Sequence, residues 1–129
     1  MIWRALVDSQ VALWAITNHK HIGPKALVEL KAAEYSFASM LSIAELEMKL
    51  MAGVTERRTD VGDLLIKAGF ELYGVDNALY DIPKHPELDG VHPFDRIIFC
   101  QAKQLQAHLF TVNATIINLG LDWVVDARV

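Results

Sequence analysis

Short apolar runs alternate with longer amphipathic stretches along the chain, and most runs close on a turn residue or an acid. Ile2–Val7 is compact, apolar and β-branched at its end, which predicts a buried strand presenting Asp8 at its C-terminal end. Val11–Ile16 follows at once as a helix, for which Asp8 or Ser9 is a candidate N-cap. Thr17–Ile22 is polar and reads as a loop. Gly23-Pro24 then opens a helix through Lys31, with Leu27 and Leu30 on its inner side. Tyr35–Ala38 is a short strand, and Ser39–Met51 a helix ended by Gly53. A charged turn over Thr55–Asp60 precedes Val61, Leu64, Leu65 and Ala68, whose spacing predicts an amphipathic helix. Phe70–Val75 is a strand suited to a sheet edge, and Asp76 can cap a brief helix through Tyr80.

The proline-rich stretch Asp81–Val91 reads as a loop; His85, Asp89 and His92 lie along it without spacing that sets a ligand geometry. Pro93 suits a first helical position, with His92 as N-cap and Asp95 in the first turn. Ile97, Ile98, Phe99, Cys100 and Ala102 make that helix apolar nearly all round, so it is expected to be buried. Leu109–Val112 is a strand ending at Asn113, Ala114–Leu119 a short helical turn stopped by Gly120, and Trp123–Val125 a last strand. Strands and helices alternate throughout, which predicts one α/β domain over residues 1–129 with a parallel sheet covered on both faces.

Composition sharpens this. With 129 residues, 53% hydrophobic and 22% charged, the chain is expected to bury a proper core. The net charge of −4 argues against a general nucleic-acid coat but permits a local basic rim. The single cysteine, Cys100, reads as core rather than nucleophile and fits a reducing cytoplasm. MIWRALVDS lacks the pattern of a signal peptide, and no apolar run approaches the roughly eighteen residues of a membrane span.

Three acids stand where chemistry is possible: Asp8 after the first strand, Glu45 on a helix, and Asp95 at a helix start. Each also has a structural reading. Asp8 can be a cap, Glu45 can close a capping box with Ser42 or pair with Lys49, and Asp95 can complement the helix dipole. The ends of parallel strands and a helix start can meet at one sheet edge, together with Asn113. Carboxylates gathered there repel one another, so a cation is the natural reason to gather them. Oxygen ligands suit Mg²⁺ or Mn²⁺ rather than zinc. No glycine-rich phosphate loop is present, which disfavours a P-loop enzyme.

Four segments, LVDSQVALW, SMLSIAELEMKLMAG, HPFDRIIFCQA and LFTVN, span nearly the whole chain and together resemble the PIN domain, specifically the VapC-like toxins of type II toxin–antitoxin systems. LVDSQVALW is similar to LLDTHVLLW through Asp8, with Ser9 at the hydroxyl position. SMLSIAELEMKLMAG resembles S-x-x-S-x-x-E-x-x-x-K-x-x-x-G through Ser39, Ser42, Glu45, Lys49 and Gly53. HPFDRIIFCQA is similar to DPFDRLLIAQA through Pro93, Phe94, Asp95, Arg96, Gln101 and Ala102, and LFTVN to LVTAD through Leu109 and Thr111.

The resemblance implies a three-layer α/β/α sandwich with a mainly parallel sheet of about five strands. It implies an endoribonuclease using Mg²⁺ or Mn²⁺, an RNA substrate, a protein antitoxin, a homodimer and a cytoplasmic setting without a membrane. Asp8, Glu45 and Asp95 would hold the metal and act in catalysis, with Asn113 as an auxiliary ligand. Ser9, Lys49 and Arg96 would serve the substrate. Two residues depart from the pattern. Asn113 stands at the usual fourth acid and removes a charge, so the site should hold Mg²⁺ less tightly, and a binding module that has lost catalysis is the alternative. His92 replaces an aspartate as N-cap, a change expected to affect helix stability more than chemistry.

Overall fold

A computed structural model describes residues 3–53, 60–75 and 81–129. Five strands form one sheet in the order β3-β2-β1-β4-β5, and every neighbouring pair is parallel. These are β1 (Arg4–Val7), β2 (Tyr35–Ser39), β3 (Phe70–Tyr73), β4 (His108–Thr111) and β5 (Val124–Asp126). Six α-helices accompany them among the described residues: α1 (Ser9–Thr17), α2 (Pro24–Ala32), α3 (Met40–Gly53), α4 (Val61–Lys67), α5 (Pro93–Leu105) and α6 (Ala114–Ile117).

The central strand shows why the sheet is sandwiched. Side chains alternate across a strand. In β1, Ala5 and Val7 join one buried cluster, with residues of α1, α2 and α4, while Leu6 joins the other, with α5 and α6. Phe110 and Leu109 of β4 divide in the same way. Both faces are therefore covered, as a parallel sheet of uniformly apolar strands requires.

Strand order also places the crevice. The chain moves from β1 outwards through β2 to β3, then crosses back through α5 to β4 on the other side of β1. Helix layers change face at that reversal, beyond the carboxyl ends of β1 and β4, the place where open α/β sheets bind ligands. The Asp8 backbone N–H donates to the Phe110 carbonyl at 2.9 Å and locks the two strand ends together.

Several expected boundaries move by a residue or two. β3 stops at Tyr73, and α4 ends at Lys67 with Ala68 exposed. The polar segment before α2 contains a 3₁₀ turn at His19–His21, and the proline-rich loop contains two, Ile82–Lys84 and Pro86–Leu88. The expected turn over Thr55–Asp60, except Asp60, and the brief helix from Asp76 through Tyr80 lie outside the described residues. No described helix is long and apolar enough to cross a membrane.

Candidate active site

Asp8 caps α1 with one oxygen and reaches the end of β4 with the other. Its Oδ1 accepts from the Val11 N–H at 2.8 Å and caps α1, while Oδ2 accepts from the Thr111 hydroxyl at 2.7 Å and the Val112 N–H at 3.0 Å. The side chain thus reaches from the end of β1 to the end of the adjacent β4. It is 5% exposed, and this burial pushes its carboxyl above the usual carboxylate range. Bonds from Val11, Thr111 and Val112 pull it down, and the charge of Asp95 pushes it further up.

Asp95 lies in the first turn of α5, whose start is built as the sequence implies. Pro93 occupies the opening turn, and His92 Nδ1 accepts from the Phe94 N–H at 3.2 Å. Histidine therefore performs the capping here. Burial raises the Asp95 carboxyl, the charge of Glu45 adds to that, and an Asn113 amide bond opposes it. Asp8, Glu45 and Asp95 thus share one electrostatic neighbourhood at the sheet's carboxyl edge.

Glu45 is not part of a capping box. Helix α3 begins at Met40, and Ser39 Oγ accepts from the Leu41 N–H at 3.1 Å, which places Glu45 inside the helix. Ser42 instead accepts a 2.9 Å hydrogen bond from the Ser9 hydroxyl, fastening α1 to α3. Glu45 Oε2 lies 3.6 Å from Lys49 Nζ, while Oε1 is buried without a hydrogen-bond partner among the described residues. Lys49 is 61% exposed, so that ion pair stabilises the helix by only about 0.3–0.5 kcal/mol.

Asn113 borders Asp95 with its amide. Its Nδ2 donates to Asp95 Oδ2 at 3.3 Å, while its Oδ1 accepts from the Ile116 N–H at 3.2 Å and caps α6. The cap orients the group. Turning the amide over would set an NH₂ against the Ile116 N–H. Among the other sequence-chosen residues, Ser9 is buried and engaged with Ser42, and Arg96 has a buried Nε without a hydrogen-bond partner among the described residues.

Thr111 is a positioning residue that sequence reasoning passed over except as part of a motif. Its hydroxyl donates to Asp8 and accepts from the Asn113 N–H at 3.0 Å. The available signal was a small hydroxyl residue closing a strand beside an acid that closes another. Thr111→Val keeps the shape, removes both bonds and leaves a buried carboxylate short of a donor. Its expected cost is about 1.5–3 kcal/mol in urea denaturation; a loss below about 0.5 kcal/mol would show that the hydroxyl does not hold Asp8.

The residues present fit a divalent cation. Two carboxyls are raised by burial and, less, by the charge of a neighbouring acid, Asp95 for Asp8 and Glu45 for Asp95, and Glu45 offers a buried oxygen with no partner among the described residues. Their oxygens are less tightly gathered than those of Asp81, His85 and Cys100, the described set of three whose ligand atoms all lie within 4.8 Å of one another. Asp8 is held back by its own three bonds.

The sequence pattern of the PIN domain matches residues 5–120, from β1 to the glycine after α6. The chain belongs to the PIN domain family. The fold agrees with two solved structures. A toxin–antitoxin complex from Klebsiella pneumoniae is 18% identical, with a TM-score of 0.66 over 95% of this chain and 97% of that one. VapBC2 from Rickettsia felis, bound to a DNA fragment from its promoter, is 15% identical, with a TM-score of 0.66 over 95% and 96%. No curated protein sequence matches the chain. In this PIN domain Asp8 closes β1 and bonds the end of β4, and Asp95, at the start of α5, bonds Asn113 just beyond it.

The raised acids make a pH prediction for the metal-free protein. A carboxyl raised by folding contributes stability that is fully present below its unfolded value and is lost as pH rises through the folded one. Asp81 and Asp126 are lowered, by Lys103 and Arg128 respectively, so their contribution has the opposite sign and is lost on acidification. Between the ordinary carboxylate range and the raised values, Asp8 and Asp95 should therefore make wild-type stability fall with rising pH. Asp95→Asn should flatten that part of the profile. Urea denaturation across pH in chelator tests this, and identical slopes in both proteins would contradict it.

Proposed function

We propose that this PIN domain is a divalent-cation-dependent endoribonuclease, the toxin of a toxin–antitoxin pair. The observation that carries the reading is Glu45 Oε1, buried and lacking a partner among the described residues, on an acid whose charge bears on Asp95 as that of Asp95 bears on Asp8. Asp8, Glu45 and Asp95 would hold the cation. When bound, Mg²⁺ or Mn²⁺ supplies a Lewis acid that activates water and offsets charge on a scissile phosphate.

The chain's own residues do the rest. Thr111 and the Val112 N–H fix Asp8, the start of α5 presents Asp95, and Asn113 donates a hydrogen bond to Asp95 rather than offering its capped oxygen. We assign Asn113 a bordering role, with any cation contact secondary to that bond. Lys49 and Arg96 supply positive charge for RNA phosphate. Ser9 serves the site indirectly, by holding α1 to α3 through Ser42. A protein antitoxin is the proposed partner, on the likeness to two toxin–antitoxin structures. Met40 and Met48 of α3, both more than half exposed, offer an adaptable apolar surface for it. A homodimer and a cytoplasmic location belong to the same proposal.

One observation favours a second reading, a PIN-fold binding module without catalysis. The Asn113 amide already satisfies part of Asp95's negative charge, which lessens the need for a cation. Magnesium titration with an RNA cleavage assay separates the two. The nuclease reading expects cleavage that stops in chelator, and thermal stabilisation by Mg²⁺ of about 2.7 kcal/mol at a hundredfold excess over Kd. A folded protein that neither cuts RNA nor responds to Mg²⁺ or Mn²⁺ supports the binding module.

A further inference from the structure

A second cluster lies about one and a half helical turns along α5 from Asp95, where the proline-rich loop crosses the helix. Asp81, His85 and Cys100 there each present a ligand atom, all within 4.8 Å of one another. We propose that these three residues form a zinc site, separate from the acid crevice, that fastens the loop to α5. Sulfur, imidazole nitrogen and one carboxylate oxygen are the donor set of Zn²⁺, whereas Mg²⁺ prefers oxygen and water.

Three geometric features support the site. His85 Nε2 and Asp81 Oδ2 lie 3.3 Å apart, the separation of about 3.3 Å expected for two ligands roughly 2.0 Å from a tetrahedral zinc. The other ring nitrogen, Nδ1, lies 3.1 Å from Glu87 Oε2. With Nδ1–H donating a hydrogen bond to that carboxylate, Nε2 presents its lone pair to the cluster, an arrangement common behind metal-bound histidines. The His85 ring is also held edge-on against Phe99, with centroids 5.3 Å apart. Cys100, the third member of the set, is fully buried.

A cation already stands in this cluster: Lys103 Nζ lies 3.1 Å from Asp81 Oδ2 and 2.7 Å from His85 Nε2. Two acceptors turned towards one ammonium make a cation position. Lys103 is 37% exposed on a flexible stem and can swing into solvent. The Cys100 thiol has no function in an ammonium site, and burial pushes it up to about 11. Zinc entry would displace the ammonium and release the thiol proton to solvent, leaving Zn²⁺ balanced by one thiolate and one carboxylate.

Cobalt is the probe, because a thiolate ligand gives Co²⁺ a charge-transfer band that oxygen ligands do not. The full chain, stripped with chelator, should take up Co²⁺ with this band and release one proton, and Zn²⁺ should then displace the Co²⁺ with no further proton release. Cys100→Ala should abolish the band. His85→Gln should weaken binding by more than the roughly 10–100-fold expected of Glu87→Gln, which removes only the outer carboxylate. Lys103→Met should tighten binding several-fold, because the competing ammonium is gone. Asp95→Asn should leave the band intact, which keeps this result independent of the nuclease reading. No thiolate band in either folded wild type or folded Lys103→Met would overturn the zinc site. Loss of the band in Asp95→Asn would overturn it too.

Discussion

Asp95→Asn is expected to reduce cation-dependent RNA cleavage by about 10²–10³-fold, the range seen when one pre-placed electrostatic group is removed from an active site. That corresponds to about 2.7–4 kcal/mol of transition-state stabilisation. The same substitution should raise metal-free stability, because it removes a charge that repels Glu45 and Asp8. Opposite signs for activity and stability separate a functional carboxylate from a structural one. Asn113→Asp should do the reverse. It replaces a donor to Asp95 with a second carboxylate, so metal-free stability should fall by about 1–3 kcal/mol. Mg²⁺ should recover that loss and bind more tightly, and cleavage should increase. Paired melts and cleavage assays on both variants provide the measurement. If folded Asn113→Asp binds no cation and cuts nothing, the nuclease proposal fails.

Phe99→Ala is expected to lower stability by about 3–5 kcal/mol, as deletion of a large buried aromatic side chain does. Phe99 is 1% exposed and lies between the His85 ring and Trp123, at centroid distances of 5.3 and 4.8 Å. It therefore joins the proline-rich loop, α5 and the segment entering β5. Domains of this kind are stable by only about 5–15 kcal/mol, so the loss is a large share of the total. Phe99 sits about one turn from Asp95 on the same helix. Phe99→Leu should remain folded at a smaller cost and still weaken cation binding at the crevice by loosening α5. Urea denaturation followed by circular dichroism gives the first quantity and a magnesium titration the second. A loss below about 1.5 kcal/mol in Phe99→Ala would show that the surrounding core closes over the gap.

Local chemistry made much of the fold legible before any coordinates. The apolar strand ends, Pro93 after His92, and the turn at Gly120 each act within a few residues, so their elements appear close to where the pattern puts them. Asp8 and Asp95 had legible places for the same reason, one closing a strand and the other opening a helix, whereas Glu45 lies inside α3. Orientation was not, because it depends on partners far along the chain. Asp8 is drawn to Thr111 across 103 positions, Ser42 bonds Ser9 rather than Glu45, and the Asn113 oxygen faces its own helix, leaving its amide to Asp95. Gly23 reads locally as a helix opener, yet the fold brings Val129 so close that any Cβ there would overlap its backbone. Cys100 reads as core by its apolar neighbours. Only the crossing of the loop over α5 sets it beside Asp81 and His85. Sequence by itself determined the elements and the positions of the acids, because caps, turns and periodicity are short-range. Tertiary structure decided which atoms meet, because packing the two helix layers on the sheet joins side chains that no local pattern relates.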